Sequence, residues 1–309
     1  MTLRIRSNIA SLRAQRHFGT SNRHLKAHME KLASGQRINK AADDAAGLAI
    51  AEVLRADVRS LSQARRNAND SISLIQVAEG GLNEITGIVV RLRELAVQSA
   101  SDTIGPRERQ HIHQEFKQLK DEIDRITFST EYNGTRLLTG TGTELPQDLK
   151  KEHQPPPLEF QVDKDYFVLH DGLQVRSPLN IIRANLQKIN SLTYGNGSLD
   201  IGRADNPLGT RVDQKQHAQM SIDKLDHAVQ KIASYRARLG ALQNRLSATD
   251  RNLSIRIESL ATARSRILDA DFAHETAEVT QWKILAEGGA SVLTQANQLP
   301  QMALSLLKN

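Results

Sequence analysis

The sequence has no cysteine and few aromatic residues, and each shortage excludes certain kinds of protein. Without a cysteine among its 309 residues, the chain cannot form disulfide bonds, thiolate metal sites or iron–sulfur clusters, and it has no cysteine nucleophile. Aromatic residues make up only 4% of the chain, so a compact core rich in large rings is not expected. Leu, Ile, Val and Ala must form the core instead.

Long apolar runs are absent as well. No stretch approaches the ~18 consecutive apolar residues that a membrane-spanning helix needs, and the mean hydropathy is −0.46. The first residues are positively charged, but they lack the apolar run of a cleavable secretory signal. We therefore expect a soluble protein which, if it leaves the cell, does so by another route.

Proline is scarce and unevenly placed. The eight prolines leave residues 1–105 and 208–299 free of them, so helices can run there without interruption. In the first span, mostly apolar residues recur at steps of three and four: Leu61, Ala64, Ala68, Ser71, Ile75, Ala78, Leu82, Ile85, Val89, Leu92 and Ala96. In the second span a seven-residue ladder holds Leu225, Ile232, Leu239, Leu246, Leu253, Leu260 and Ile267. Both patterns are heptad seams and predict long helices buried along one face.

Seams of this length favour a rod of packed helices. We expect its seam to include Leu82, Ile85, Val89, Leu92, Leu239, Leu246 and Leu253. A third amphipathic segment, residues 108–128, follows the Gly105-Pro106 break and is expected to fold back against the first long helix. Such periodicity is also typical of an ordinary helix-bundle core, so it indicates architecture and not function.

The middle of the chain differs in composition. Residues 130–205 hold the turn signals Asn133-Gly134 and Asp171-Gly172 and short β-branched and aromatic segments. These predict a small β-hairpin region. The expected fold class is mainly α, a long antiparallel helical coiled-coil rod with this hairpin region in its middle.

The two ends of the chain have unusual surfaces. Residues 1–40 carry nine Lys and Arg against one acidic residue, a net charge of +8, which exceeds the +6 of the whole chain. The last forty residues present an apolar helical face that a short lone helix could not cover. A basic arm of this kind suits a nucleic acid, an anionic surface, or a segment that becomes ordered only against a partner.

Residues capable of catalysis or metal binding do not form a recognisable site. His111 and His113 would point about 200° apart on a helix and cannot jointly hold a metal ion. Asp43 and Asp44 precede a helical segment, where carboxylates satisfy free N–H groups. We expect a protein that is not an enzyme and that takes no cofactor and no metal.

Two glycine pairs interrupt apolar helical patterns. Residues 80–81 and 288–289 lack the preceding strand and the Lys-Ser/Thr of a phosphate-binding loop. Since glycine weakens a helix by about 1 kcal/mol relative to alanine, we expect the pairs to allow close approach of another backbone.

Particular segments at both ends resemble bacterial flagellin. LASGQRINKAADDAAGLAI (32–50) and RLRELAVQSA (91–100) are similar to the N-terminal signatures of that family. SRILDADFAHETAE (265–278) and VLTQANQLPQMALSLL (292–307) are similar to its C-terminal signatures. About 65 residues separate Gly140 from Asp205, so the chain resembles a short form without large outer domains.

The resemblance implies a structural subunit that is exported unfolded by the flagellar type III apparatus and polymerises outside the cell into the filament used for swimming. Its terminal helices would pair as an inner coiled coil. The implied domains are 1–44, an N-terminal filament-core arm; 45–175, N-terminal rod helices and the small β region; 176–205, a short variable connector; 206–268, a C-terminal rod helix; and 269–309, a C-terminal filament-core helix.

The resemblance also implies partners and residue roles. The partners are further copies of the chain, the filament cap and hook-associated proteins, an export chaperone, and the flagellin-sensing Toll-like receptor, with Arg91, Leu95 and Glu115 at the positions of receptor contacts. The expected filament-core packing residues are Leu293, Ala296, Leu299, Leu304 and Leu307.

Three alternatives stay open at this point. Within the same assembly, the chain could be a hook–filament junction protein or a periplasmic flagellar core subunit. From a different class, it could be a basic coiled-coil protein that binds nucleic acid through residues 1–40. Nucleic-acid binding would weaken steeply with salt, whereas apolar assembly would strengthen in kosmotropic salt.

Overall fold

Long helices and short strands make up the computed structural model. It describes residues 8–140, 158–165, 167–170, 173–176, 180–186, 189–194, 198–204 and 209–306, with the backbone alone for 167–170, 173–176 and 299–306. The helices are α1 (Ile9–Ser34), α2 (Ala45–Ser99), α3 (Pro106–Ser129), α4 (Lys215–Leu268) and α5 (Phe272–Leu306). The strands are β1 (Glu131–Tyr132), β2 (Thr135–Arg136), β3 (Leu158–Gln161), β4 (Phe167–His170), β5 (Leu173–Arg176) and β6 (Ile181–Ala184). The expected mainly α class is confirmed.

The chain divides into two compact units. The central unit comprises Arg59–Ile257, and the terminal unit combines Met1–Val58 with Glu258–Asn309. The central unit therefore holds most of α2 and α4, all of α3 and the strands, while the terminal unit holds α1 and α5.

Within the central unit, α2 and α4 run antiparallel. Polar contacts join them at four levels: Arg93 with Asp226, Glu79 with Arg236, Asn69 with Asp250, and Arg65 with Ser254. Partners that come later in α2 come earlier in α4, which fixes the direction. On α2, Arg65, Glu79 and Arg93 follow one another at intervals of fourteen residues, which is two heptads, and Asn69 lies four residues after Arg65.

The seams form the core of this unit. All eleven α2 seam positions are buried, as are the first five residues of the α4 ladder, while Leu260 and Ile267 are half-buried. Phe116 and Ile123 of α3 join the same apolar cluster. Helix α3 begins with Pro106 directly after Gly105. The first residue of a helix donates no intrahelical hydrogen bond, so a proline is tolerated there. Because Phe116 and Ile123 share the apolar cluster of α2, the predicted fold-back is confirmed.

The strands pair as three short antiparallel hairpin-like units. β1 pairs with β2 across Asn133 and Gly134, both with positive φ, as a tight primed turn requires. β4 pairs with β5, and β3 pairs with β6, with Leu158 opposite Ala184. The predicted small β region is confirmed, although residues 171–172 of the second turn signal lie outside the described residues.

Two ionisable side chains of α3, Lys120 and Asp124, hold the segment that follows the strands. Lys120 is only 1% exposed, and its Nζ donates to the carbonyl oxygens of Arg203 (3.1 Å) and Thr210 (3.3 Å). Asp124 accepts from both the backbone N and the Oγ1 of Thr193, each at 2.9 Å. Burial lowers the pKa of Lys120 to about 8 and raises the pKa of Asp124. These contacts fasten residues about 70 to 90 positions away onto α3.

The lowered pKa of Lys120 makes stability depend on pH. The folded chain binds this proton less tightly than the unfolded chain, whose lysine has a pKa of 10.5, so the free energy of unfolding rises with pH between 8 and 10.5. From pH 7 to 9.5 we expect a rise of about 2 kcal/mol from this residue. Urea unfolding followed by circular dichroism measures it, with Lys120→Met as the control. Equal pH slopes for the two proteins would contradict the assignment.

Only the second glycine of each pair has other atoms close to it. A Cβ on Gly81 would lie 2.7 Å from Thr130 Oγ1 and 2.9 Å from Leu138 Cδ1, and one on Gly289 would lie 3.6 Å from Phe18 Cα. Gly80 and Gly288 have open space there. The expected approach of another backbone is therefore confirmed for Gly289, beside Phe18, whereas Gly81 is approached by side chains. It is wrong for Gly80 and Gly288, because successive helical residues point about 100° apart.

This difference predicts opposite effects for neighbouring alanine substitutions. Gly81→Ala is expected to destabilise the protein by about 1 kcal/mol, since overpacking costs more than the gain in helix propensity. Gly80→Ala, its matched control, is expected to stabilise by up to about 1 kcal/mol. Denaturant midpoints of the two variants decide the matter, and the same sign of change for both would refute the packing argument.

Candidate assembly interface of the terminal helices

The two terminal helices lie side by side and antiparallel. Near the beginning of α1, Asn8 Nδ2 donates to the Ala296 carbonyl oxygen at 2.7 Å, and Ser11 Oγ donates to Asn297 Oδ1 at 2.6 Å. The Asn8 side chain also accepts from the backbone N of Ser11 and so caps the helix. One residue thus both starts α1 and ties it to the far end of α5.

Mostly small side chains line the contact between α1 and α5. Among the described side chains of the pair, the buried ones are Ala14 and Ser21 on α1 and Ala286, Ala296 and the larger Glu275 on α5. Gly289 lies against Phe18. Small residues allow two helix backbones to approach closely, so the pair buries little apolar surface of its own.

A short junction supports the pair at the other end. Gly35 ends α1 in the left-handed conformation with φ of 68°, which glycine adopts without strain. The Arg37 backbone N then donates to the Leu268 carbonyl oxygen at 2.6 Å, and the Ala270 N donates to that of Gly35 at 3.0 Å. Ile38, buried beside Leu268, completes a small apolar cluster.

The two acidic residues of the junction act differently. Asp44 Oδ1 accepts from the Gly47 backbone N at 2.9 Å, so the predicted capping role is confirmed for this residue. Asp43 instead accepts from the backbone N of Asn39 and of Lys40 and closes the preceding turn. The hydrogen bond from Lys40, followed by that from Asn39, lowers the pKa of Asp43. Capping of α2 is therefore wrong for Asp43, which lies one residue too early.

Large apolar side chains remain exposed on both terminal helices. They are Ile9, Leu12 and Met29 on α1, and Phe272, Ile284, Leu285 and Val292 on α5. Phe272 is 67% exposed and Ile284 is 63% exposed, and together they lie on one open face of α5. Apolar surface of this extent on a paired helix marks an interaction site.

Polar contacts join the C-terminal half of α1 to the first turns of α5. His28 Nδ1 lies 2.6 Å from Glu275 Oε2, and Lys31 Nζ lies 4.0 Å from Glu275 Oε1. The ring of His24 stacks on that of Trp282 at 4.3 Å between centroids. The terminal pair thus combines an apolar exposed face with a specific polar contact between its helices.

The expected filament-core residues lie on this helix. Leu293 is half-buried and Ala296 is buried. Leu299 and Leu304 belong to α5, but their side chains are not among those described, and Leu307 lies outside the described residues. Their packing role stays a prediction.

The residues expected at receptor contacts lie together where α2 and α3 meet. Arg91 Nη2 lies 2.9 Å from Glu115 Oε1, and Arg91 Nη1 lies 3.1 Å from Glu94 Oε2, with all three side chains exposed. These hydrogen bonds, first that of Glu115, raise the pKa of Arg91. Leu95 is only 1% exposed and belongs to the same apolar cluster as Phe116 of α3 and Leu225 of α4. A partner can therefore reach the charged pair, but it cannot reach the Leu95 side chain without rearrangement.

None of the helices in the described part of the chain has the length and apolar character needed to cross a membrane. Among the same residues, no group of three or more His, Asp or Glu side chains is arranged to hold a metal ion.

Comparison with known proteins gives matches over both ends and over the full length. Residues 5–143 match the bacterial flagellin N-terminal helical region, and residues 222–307 match the bacterial flagellin C-terminal helical region. Flagellin of Bacillus subtilis is 40% identical, with 99% of this chain and 100% of the relative covered. The flagellar filament 33 kDa core protein of Treponema phagedenis is 37% identical, with 98% and 99% covered. The crystal structure of Bacillus cereus flagellin matches with a TM-score of 0.45 and 28% identity, over 61% of this chain and 88% of that chain.

The seams, the small β region and the paired terminal helices agree with these matches. Family regions at both ends and relatives covered from end to end leave one conclusion. The chain belongs to the bacterial flagellin family and is a self-associating structural subunit of the extracellular flagellar filament.

Proposed function

We propose that the chain assembles into the filament through α1 and α5, which become its inner core. The observation that carries this proposal is the exposed apolar face of the pair, which includes Phe272 and Ile284 on α5. Copies of the chain that cover this face with one another remove the apolar surface from water, which favours association. Residues 1–44 and 269–309 would then be the filament-core arms, and the intervening segments would lie further out.

The packing gives the central unit and the terminal pair different roles. The central unit buries its own seams within one chain, with α2, α3 and α4 in a single apolar cluster, so it needs no partner to fold. The terminal pair leaves large apolar side chains uncovered, so it needs neighbouring copies. Assembly would stabilise the pair by mass action.

Export and further partners belong to the same proposal. Family membership supports export of the unfolded chain by the flagellar type III apparatus, with an export chaperone and with the cap and hook-associated proteins as partners. An export chaperone that covers the exposed α5 face before assembly would keep this segment from associating early. Recognition by the Toll-like receptor would use Arg91 and Glu115, which are exposed.

The work of the filament is mechanical, and we propose that this chain performs no catalysis. The family is structural, and the ion pairs and seams described above all have packing roles. A stiff helical polymer converts rotation at its base into thrust, so the relevant property of each subunit is rigid lateral contact.

A second candidate is a filament core subunit. It is favoured by the 37% identity to the Treponema phagedenis protein that is named a flagellar filament core protein. The mode of assembly would be the same, and the location of the filament in the cell of origin would distinguish the two. Antibody labelling of intact cells detects an external filament and fails for an enclosed one.

Polymerisation of the purified chain in ammonium sulfate tests the proposal. The full chain is expected to form filaments visible by negative-stain microscopy, and Ile284→Ser is expected to reduce the pelleted fraction severalfold because it removes exposed apolar area. Ile284→Leu keeps that area and should assemble normally. Salt-sensitive binding to DNA without filaments would support the nucleic-acid alternative instead.

A further inference from the structure

A histidine of α1 lies between two carboxylates of α5. His28 Nδ1 is 2.6 Å from Glu275 Oε2, and His28 Nε2 is 3.9 Å from Glu278 Oε2. The two ring nitrogens therefore face different glutamates one helical turn apart. The side chains are largely shielded, with 18% of His28 and 7% of Glu275 exposed.

This arrangement matches the charged form of the imidazole better than the neutral form. A neutral imidazole carries one N–H, so one of its nitrogens presents a lone pair to a carboxylate. An imidazolium adds a positive charge, which attracts both Glu275, hydrogen-bonded at 2.6 Å, and Glu278, at 3.9 Å and beyond hydrogen-bond distance. Among the described residues, Lys31 is the other cation near Glu275. Its Nζ lies 4.0 Å from Glu275 Oε1, which is too far for a hydrogen bond.

A second histidine, one turn earlier on α1, belongs to the same cluster. The rings of His24 and Trp282 stack at 4.3 Å with an angle of 18° between their planes. Trp282 Nε1 donates to Glu278 Oε2 at 3.0 Å, so Glu278 links the indole to the region of His28. A positive charge on His24 would be attracted by the indole face.

We propose that this cluster makes the pairing of α1 with α5 sensitive to pH, so that the two helices bind each other more tightly as the pH falls from about 8 to about 6. The groups that face the two histidines among the described residues are Glu275, Glu278 and Trp282 on α5, with Lys31 beside them on α1. Protonation adds attraction at each histidine. In the filament, tighter pairing would slow the loss of subunits, a consequence that rests on the proposed function.

The chain carries its own reporter for the test. Trp282 is its single tryptophan, and an imidazolium stacked on an indole quenches the fluorescence of the indole. Emission of the full-length protein is to be recorded from pH 8.5 to 5.5, assembled and soluble. We expect it to fall on acidification in the wild type and to stay level in His24→Gln. His17→Gln, at an exposed position on the same helix, is the control and should behave as the wild type.

A second readout separates the helix contact from polymerisation. Sedimentation of assembled protein at pH 8 and pH 6 is expected to show a critical concentration about fivefold lower at pH 6 in the wild type, with the difference lost in His28→Gln and retained in His17→Gln. Equal critical concentrations at both pH values, or a pH response that survives in both His24→Gln and His28→Gln, would overturn the proposal. If no protein sediments at any pH, the proposed function fails, and the emission of the soluble chain alone decides on the pH-sensitive contact.

Discussion

A chain that ends at Gly289 is expected to form no filaments while its central unit stays folded. The deletion removes Ala296 and Asn297, which receive hydrogen bonds from Asn8 and Ser11, and with them the end of α5 that is tied to the start of α1. The remaining part of α5 keeps Phe272 and Ile284 but lacks Val292 and Ala296, and the first turns of α1 lose their partner. Pelleting from ammonium sulfate and negative-stain microscopy measure the effect, which should be a complete loss.

The control for this deletion is the stability of the central unit. Its core cluster lies within residues 68–246, well away from the deleted end. The thermal unfolding of the truncated chain should therefore match the main transition of the soluble full-length chain. Filaments formed by the truncated chain would show that the end of α5 is dispensable for assembly, and this would contradict the account.

Replacement of Phe116 by alanine is expected to cost the central unit about 3 to 5 kcal/mol. The ring lies fully buried where α3 packs onto the seams of α2 and α4, and Lys120 Nζ lies 5.9 Å from its centre. Its removal leaves a cavity that the surrounding helices cannot fill without moving. Urea unfolding followed by circular dichroism measures the loss.

Met220 of α4 provides a matched control for this large-to-small change. Its side chain is 60% exposed, so Met220→Ala is expected to change the free energy of unfolding by less than about 0.5 kcal/mol. If the two variants lost similar stability, α3 would not be anchored through Phe116, and the inferred core would be wrong.

The sequence predicted the long helices well because heptad spacing is a local signal. Every α2 seam position from Leu61 to Ala96 is buried, and the Gly105-Pro106 break marks the start of α3. Leu95, which does not belong to the seam, is buried too. One seam describes contact with one partner helix, so a residue covered by a third helix falls outside the pattern.

Contacts between distant segments could not be predicted from spacing. Lys120 lies on the apolar face of α3, yet its hydrogen-bond acceptors, the carbonyls of Arg203 and Thr210, are more than 80 residues away. His28 and Glu275 are separated by 247 residues, and nothing in the local sequence of either helix specifies that they meet. Spacing on one helix indicates which residues share a face, whereas the partner of that face depends on the register of a second helix.

Only the uncovered face of the candidate interface was predictable, because spacing shows which residues share a face but not what packs against it. An apolar stripe without a partner is visible in the last forty residues, and exposed Ile284 and Val292 bear out the expectation of an uncovered face. The division of each glycine pair into one packed and one open residue was not visible. It depends on the side of the helix on which Thr130 or Phe18 lies.

A helical reconstruction of the assembled filament by electron cryomicroscopy would show where the terminal helices lie. We expect α1 and α5 to be paired at the innermost radius, with Phe272 and Ile284 covered by neighbouring copies and the central unit further out. Density that places the terminal helices at the outer surface, or that leaves the face of Phe272 and Ile284 exposed to solvent, would contradict this expectation.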